Sequence, residues 1–333
     1  MKRILPLFLA LALLLTGCTA VSTTESTSQA VSQVDSSSSA PESASSQLES
    51  ISITDSNGSQ ITLDTSAPRV VAAYGSFAEA WLLAGGELCG VTQDALEQRD
   101  LGLPEDIAVV GTVKEPNAEE IIALEPDLVL LASDITTQAE IRDVLENAGL
   151  ACAFFQVDTF ADYAFMMEQL CAVTGREDLY EENVTQVGQQ IEEAQANAAL
   201  SSTRPNVLLI RAFSTGIKAK TDDELAGAIL KDLGAHNIAD DHPSMLEDLS
   251  LEEVIAADPD YIFVTTMGDE QKALDYLNGL IQQNPAWSEL SAVKEDRYVV
   301  LPKDLFHYKP NNRWGESYQY LGEILYPELF HEE

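Results

Sequence analysis

Positive charge is scarce in this chain: 18 Lys and Arg stand against 55 Asp and Glu over 333 residues, a formal net charge of −37. A phosphate backbone demands a basic face, so nucleic-acid binding is excluded, and the acidic excess reads as a solvated, self-repelling surface. Cysteine is scarce as well. Cys18 lies near the start, while Cys89, Cys152 and Cys171 sit in apolar stretches with no C-x-x-C and no finger-like spacing. Buried thiols are expected there, with one disulfide left open. The four histidines, His236, His242, His307 and His331, show no tight metal-ligand spacing. No P-loop, dinucleotide G-x-G-x-x-G, G-x-S-x-G elbow, H-E-x-x-H helix or calcium loop occurs, so the common catalytic signatures are missing and no resident cofactor is expected. The one long apolar run, Ile4 to Leu15, is too short to cross a bilayer.

That run follows Met1-Lys2-Arg3 and closes in Leu15-Thr-Gly-Cys18. A basic start, an apolar middle and small residues at the end predict a secretory signal over residues 1–17. The last four residues resemble the lipobox of bacterial lipoproteins, which implies cleavage before Cys18 and lipidation of its thiol. Acyl chains contribute about 0.8 kcal/mol per buried methylene, enough for a stable anchor to the cell membrane, facing outside the cytoplasm. Residues 18–50 are dominated by Ser, Thr, Ala, Gln and Glu and cannot offset their ordering entropy, so a flexible tether with a reach of roughly 30 Å is expected.

Beyond the tether, length and 45% hydrophobic content leave room for two packed domains. An internal repeat gives their relation. Glu119-Glu-Ile-Ile-Ala-Leu-Glu-Pro-Asp127 returns as Glu252-Glu-Val-Ile-Ala-Ala-Asp-Pro-Asp260, displaced by 133 positions (252 − 119), and each copy runs into an apolar strand. Asn117 and Ser250 stand three residues before Glu120 and Glu253, the capping-box spacing that opens a helix. Around these copies the pattern alternates strand and helix: strands at Val70, Leu88, Ala108, Leu128 and Ala151 in the first half, and at Asn206, Tyr261 and Tyr298 in the second. Ile51 to Leu63, with Asp55-Ser-Asn-Gly58 in its middle, predicts a β-hairpin. Residues 175–200 lack Pro and carry Leu179, Val184, Val187 and Ile191 at helical intervals, which predicts one long helix. The expected fold is therefore α/β: two Rossmann-like lobes with mostly parallel sheets, 51–174 and 201–333, joined by one long α-helix over 175–200.

Several short segments carry a family resemblance in the right order: Ala67-Pro-Arg-Val-Val71, Leu83-Ala-Gly-Gly86, Gly90-Val-Thr92, Pro116-Asn-Ala-Glu119 leading to Pro126-Asp127, Pro259-Asp260, Asn284-Pro-Ala-Trp287, Ala292-Val-Lys294 and Tyr298-Val-Val300. From about residue 51 onward the chain resembles the lipid-anchored substrate-binding proteins of ABC importers for ferric siderophores, haem and cobalamin. The resemblance implies a ligand cleft between the lobes, no catalysis, an ABC permease with its ATPase as partners, and a monomer. A ferric siderophore-like chelate is the leading expectation. Haem and cobalamin are alternatives within the family, and a chelatase-like enzyme is a remote one.

Ligands of open α/β sheets bind beyond the carboxyl ends of strands. Those ends carry Tyr74, Lys114, Arg211, Met267, Lys303 and His307, with Lys218, Lys309 and Arg313 a little beyond. In so acidic a chain this grouping predicts a positive floor for an anionic ligand, with Tyr74, Lys114, Arg211, Lys218, Met267, His307 and Arg313 as candidate ligand-binding residues. Alternatives remain open: Arg211 and Lys218 could pair with Asp222, Asp223 and Glu224, Tyr74 could belong to the core, and Met267 and His307-Tyr308 could ligate haem iron or simply pack. Glu119 and Glu252 align with the glutamates that, in the family, meet permease arginines, although either carboxylate is also favourable at a helix N-terminus.

Overall fold

The computed structural model describes residues 50–330 except 248 and 250, and these described residues form one compact unit. The expected signal, Cys18 and tether lie outside the described residues, as do Ser250 and His331.

Two five-stranded sheets organise this unit. In the first, the order is Ala108–Val109, Leu88–Val91, Val70–Ala72, Leu128–Ala132, Ala151–Phe155, with every pair parallel. Its central strands are buried on both faces, which is why Val70–Ala72 and Leu128–Ala132 read as continuous apolar runs and not as alternating ones. In the second, the order is Gly216–Lys220, Asn206–Phe213, Tyr261–Thr266, Tyr298–Val300, with His236–Asn237 also pairing with Asn206–Phe213. Here the Gly216–Lys220 edge strand is antiparallel and the remaining pairs are parallel.

The sequence repeat is reproduced atom for atom at its end. Glu125 and Asp258 both adopt left-handed backbone, φ 47° and 42°, immediately before a proline. The next acid then closes back on the neighbouring strand. Asp127 Oδ2 accepts the Arg69 N–H at 2.7 Å and Asp260 Oδ2 accepts the Asn206 N–H at 2.8 Å. Helix stop, strand start and strand pairing are thus set by the same acid-Pro-Asp segment of three residues in both halves.

The predicted hairpin pairs Ile51–Thr54 with Gln60–Leu63, and Asp55, buried at its turn, accepts the N–H groups of Asn57, Ser59 and Phe154. The predicted connecting helix differs in detail. Gly175, at φ 68°, caps the preceding helix Phe160–Thr174, and helical structure resumes as Glu177–Tyr180, a π-turn over Glu181–Thr185, and Gln186–Ala198. At the π-turn the Asn183 amide donates to Leu83 O and Leu179 O, while its Oδ1 accepts from Asn312. Val184, Val187, Ile191 and Ala194 face inward, and the main apolar core runs without a break from Val70 and Leu130 through this helix to Leu209, Phe263 and Trp314. Gly315 lies so close to the helix that a Cβ there would meet Gln190 Oε1 at 2.1 Å.

Candidate functional site

A cleft of about 570 Å³ opens where strand ends of the two sheets face one another. The first half contributes Tyr74, Asp94, Lys114 and Asp134, and the second contributes Met267, Lys303, His307 and Tyr308. Each residue reaches the cleft for a local reason.

Tyr74 follows the strand Val70–Ala72 and stands in extended backbone, φ −154°, ahead of the helix Gly75–Leu83. Its ring packs edge-on against Phe77 at 5.2 Å. Burial, then the nearby Asp134 and Asp94 carboxylates, push its phenol up to about 12, so it is uncharged at neutral pH. Gly75 is needed beside it, because Asp94 Oδ2 accepts the Gly75 N–H at 2.7 Å and a Cβ would stand 2.8 Å from that same oxygen. Lys114 lies at the tip of a small hairpin made by Gly111–Thr112 and Glu115–Pro116. Its side chain is exposed and makes no ion pair among the described residues.

Across the cleft, Met267 and Gly268 end the strand Tyr261–Thr266, and the Met267 N–H donates to Ala212 O at 2.9 Å. Met267 is 39% exposed, enough to offer its thioether to a ligand. Lys303 starts the short helix Lys303–Phe306; its ammonium donates to Gly268 O at 2.6 Å and lies 6.0 Å from the Tyr308 ring centre. His307 ends that helix. Burial first, then the charges of Arg211, Lys303 and Lys309, push its imidazole down to about 4, so at neutral pH it is an uncharged ring with nitrogen lone-pair capacity.

Of the seven residues predicted for ligand binding, the structure brings Tyr74, Lys114, Met267 and His307 into one cleft. Arg211, Lys218 and Arg313 do not line it. The strand that carries Arg211 runs on to Phe213 and turns back as a hairpin, so Arg211 lies within the sheet opposite Lys218 and not at its end. Its guanidinium is ion-paired with Glu224, which also takes Lys220 at 2.9 Å. Lys218 is exposed on the edge strand. Arg313 is held by Asp304 and Glu316, both at 2.8 Å. The expected positive floor is therefore corrected: the lining carries two lysines and two aspartates around a neutral histidine.

A polar network adjoining the cleft escaped the sequence. Arg99 pairs with Glu79 and donates to the carbonyls of Tyr308 and Lys309. Asn311, 1% exposed and at φ 51°, donates to Ser76 O at 3.0 Å and Glu79 Oε2 at 2.6 Å. Lys309, also at positive φ, reaches Val157 O. Residues 309–311 thereby fasten the second half to the first right behind the cleft residues His307 and Tyr308. The clue available in the sequence was an Asn and a Lys flanking Pro310, too common a pattern to single out.

The predicted docking pair occupies matching places. Glu119 and Glu252 are exposed second residues of the helices Ala118–Ala123 and Leu251–Ala257. Asn117 Oδ1 caps the first by accepting the N–H groups of Glu119 at 3.0 Å and Glu120 at 3.3 Å. The thiols of Cys89, Cys152 and Cys171 are free, as expected, and burial pushes each upward.

Residues 70–305 match the family model described as "Periplasmic binding protein". The chain belongs to this family. It is similar to the Fe(3+)-citrate-binding protein YfmC of Bacillus subtilis, 26% identical over 253 residues, covering 73% of this chain and 76% of that one. It is also similar to the high-affinity heme uptake system protein IsdE of Staphylococcus aureus, 22% identical over 226 residues, 67% of this chain and 76% of the other. The crystal structure of the TroA-like periplasmic binding protein FepB from Veillonella parvula shares the fold at a TM-score of 0.68, with 21% identity, over 84% of this chain and 91% of that one. These relatives are solute-binding proteins, so this chain is a solute-binding protein and not an enzyme, and the chelatase alternative is set aside. No helix among the described residues is long and apolar enough to cross a membrane.

Proposed function

We propose that the chain captures an iron chelate in this cleft and delivers it to an ABC importer. The observation that carries the reading is the convergence of Tyr74 and Lys114 from one half with Met267, Lys303 and His307 from the other, because a ligand gripped by both halves is sensed by both. The iron-citrate-binding relative from Bacillus subtilis supports the same substrate class. Lys114 and Lys303 suit carboxylate or catecholate oxygens of the chelator, while Tyr74 and Tyr308 give it flat apolar contact. The balancing Asp94 and Asp134 favour a chelate of modest net charge over a strongly polyanionic one.

Haem is the second reading. An exposed thioether at Met267 and an uncharged imidazole at His307 border one cleft, and both are axial ligands for haem iron. Its relative IsdE supports that reading. Titration of the purified protein with ferric citrate, a ferric tris-catecholate and haemin, followed by tyrosine and tryptophan fluorescence and by thermal shift, separates the two. The first reading expects saturable one-to-one binding of a ferric chelate, and haem expects a shifted Soret band that Met267→Ala or His307→Ala alters. No binding of any of the three would remove iron chelates from consideration.

Delivery rests on further parts of the same reading. Residues 51–174 and 201–333 act as two lobes around the cleft, with the helical run Glu177–Ala198 between them. Glu119 and Glu252 present one carboxylate from each lobe to the permease. Cys18, as a lipidated N-terminus, tethers the protein to the outer face of the cell membrane. Labelling with a radioactive or clickable fatty acid tests that anchor, since Cys18→Ser should abolish incorporation.

A further inference from the structure

Gln138 is fully buried and lies next to the cleft, in the short helix Thr136–Glu140. It is an unusual place for a primary amide, and every bond it makes is to backbone. Its Nε2 donates to Ala73 O at 2.7 Å and to Val113 O at 2.8 Å, and its Oε1 accepts the Ala132 N–H at 2.7 Å. Each partner adjoins the segment that delivers a cleft residue. Ala73 precedes Tyr74, Val113 precedes Lys114, and Ala132 leads through Ser133 to Asp134. The neighbouring Thr137 hydroxyl adds a bond to Lys114 O.

We infer that Gln138 is a positioning residue for ligand binding: one side chain locks three separate segments, and with them Tyr74, Lys114 and Asp134, into a single preformed wall. The inference rests on the cleft being the ligand site. Three chain segments that cross at strand ends carry backbone groups with no sheet partner left, and a planar amide with two donors and one acceptor satisfies three of them at once. No apolar side chain of the same volume can do this, so its loss leaves buried polar groups unpaired and the segments free to move independently. A wall ordered before the ligand arrives loses less entropy on binding, which appears as affinity.

The test uses Gln138→Met, which keeps volume and removes all three bonds, and Thr137→Val, a milder change that removes only the bond to Lys114 O and serves if the first variant folds poorly. In the ligand-free protein, hydrogen exchange should quicken at residues 73–76, 111–115 and 132–134 and stay at the wild-type rate in the second sheet. Unchanged exchange in those three segments, or equal quickening everywhere, overturns the inference. With the tightest binder among ferric citrate, the ferric tris-catecholate and haemin, Gln138→Met should weaken binding roughly tenfold, and by a smaller factor when Lys114 is already Ala, because the share of its effect that passes through Lys114 is then gone. Equal losses in both backgrounds contradict a positioning role. Lys303→Ala, on the opposite wall and unbonded to Gln138, isolates the underlying reading: if it leaves affinity unchanged the cleft assignment fails, whereas if it weakens binding and Gln138→Met does not, only the positioning role fails.

Discussion

His307 shows most clearly how a side chain's surroundings decide its use. Its folded value of about 4 against 6.5 for an ordinary imidazole means that the folded protein resists protonation in a range where the unfolded chain accepts it. Stability conferred by the neutral ring is therefore present above pH 6.5 and is lost as pH falls from there to about 4. An NMR titration should place the His307 midpoint near pH 4, and a midpoint near 6.5 would show that neither burial nor its cationic neighbours act on it. Lys303→Ala should weaken chelate binding by about 1.5–3 kcal/mol, the range for a hydrogen bond to a charged group, read by fluorescence titration. At this scale the strand-end rule located Tyr74, Lys114, Met267 and His307, because a position just past a strand follows from hydrophobic pattern alone. Arg211 and Arg313 show its limit. Whether a cation is available to a ligand depends on which carboxylate folds against it, and Glu224, Asp304 and Glu316 arrive through hairpin and helix geometry that the pattern does not encode. Gln138 and Arg99 were invisible for the same reason, since their partners are backbone atoms or acids far along the chain.

Among the elements, the close of the repeat was legible. Equivalent acid-Pro-Asp segments impose equal left-handed stops and equal strand entries, so Glu125 with Asp127 and Asp258 with Asp260 do the same work in both halves. The edge strand Gly216–Lys220 was less so, because Gly216-Ile-Lys-Ala-Lys220 is short and half polar and resembles a loop. The π-turn in the connecting helix is likewise a tertiary product, formed where Asn183 is drawn to Leu83 O and Asn312. Two glycines test the packing of the helices. Gly315→Ala should destabilise by about 1–3 kcal/mol, since the added methyl overlaps Gln190, including its Cβ at 2.8 Å. Gly279→Ala, in the helix Glu270–Gln283 with open space around it, should stabilise by roughly 0.5–1 kcal/mol. Chemical denaturation of both variants checks the pair, and equal effects would show that close approach at Gly315 plays no part.

In the whole molecule, the cleft takes side chains from both halves, and Glu119 and Glu252 place one exposed carboxylate on each. Arg99, Asn311 and Lys309 fasten those halves together beside His307 and Tyr308, so Arg99→Ala should lower thermal stability and also ligand affinity, whereas Lys272→Ala, whose ion pair with Asp269 is exposed, should leave both near wild type. Glu119→Arg with Glu252→Arg should leave affinity and melting temperature near wild type while abolishing ligand-dependent uptake, because two attractions at a charged interface become repulsions. The most direct measurement of the central claim is a titration of wild type, Lys303→Ala and His307→Ala with ferric citrate, the ferric tris-catecholate and haemin at neutral pH. The account predicts one-to-one binding of an iron chelate by the wild type and a loss of roughly tenfold or more in at least the Lys303 variant, and equal affinities in all three proteins would contradict it.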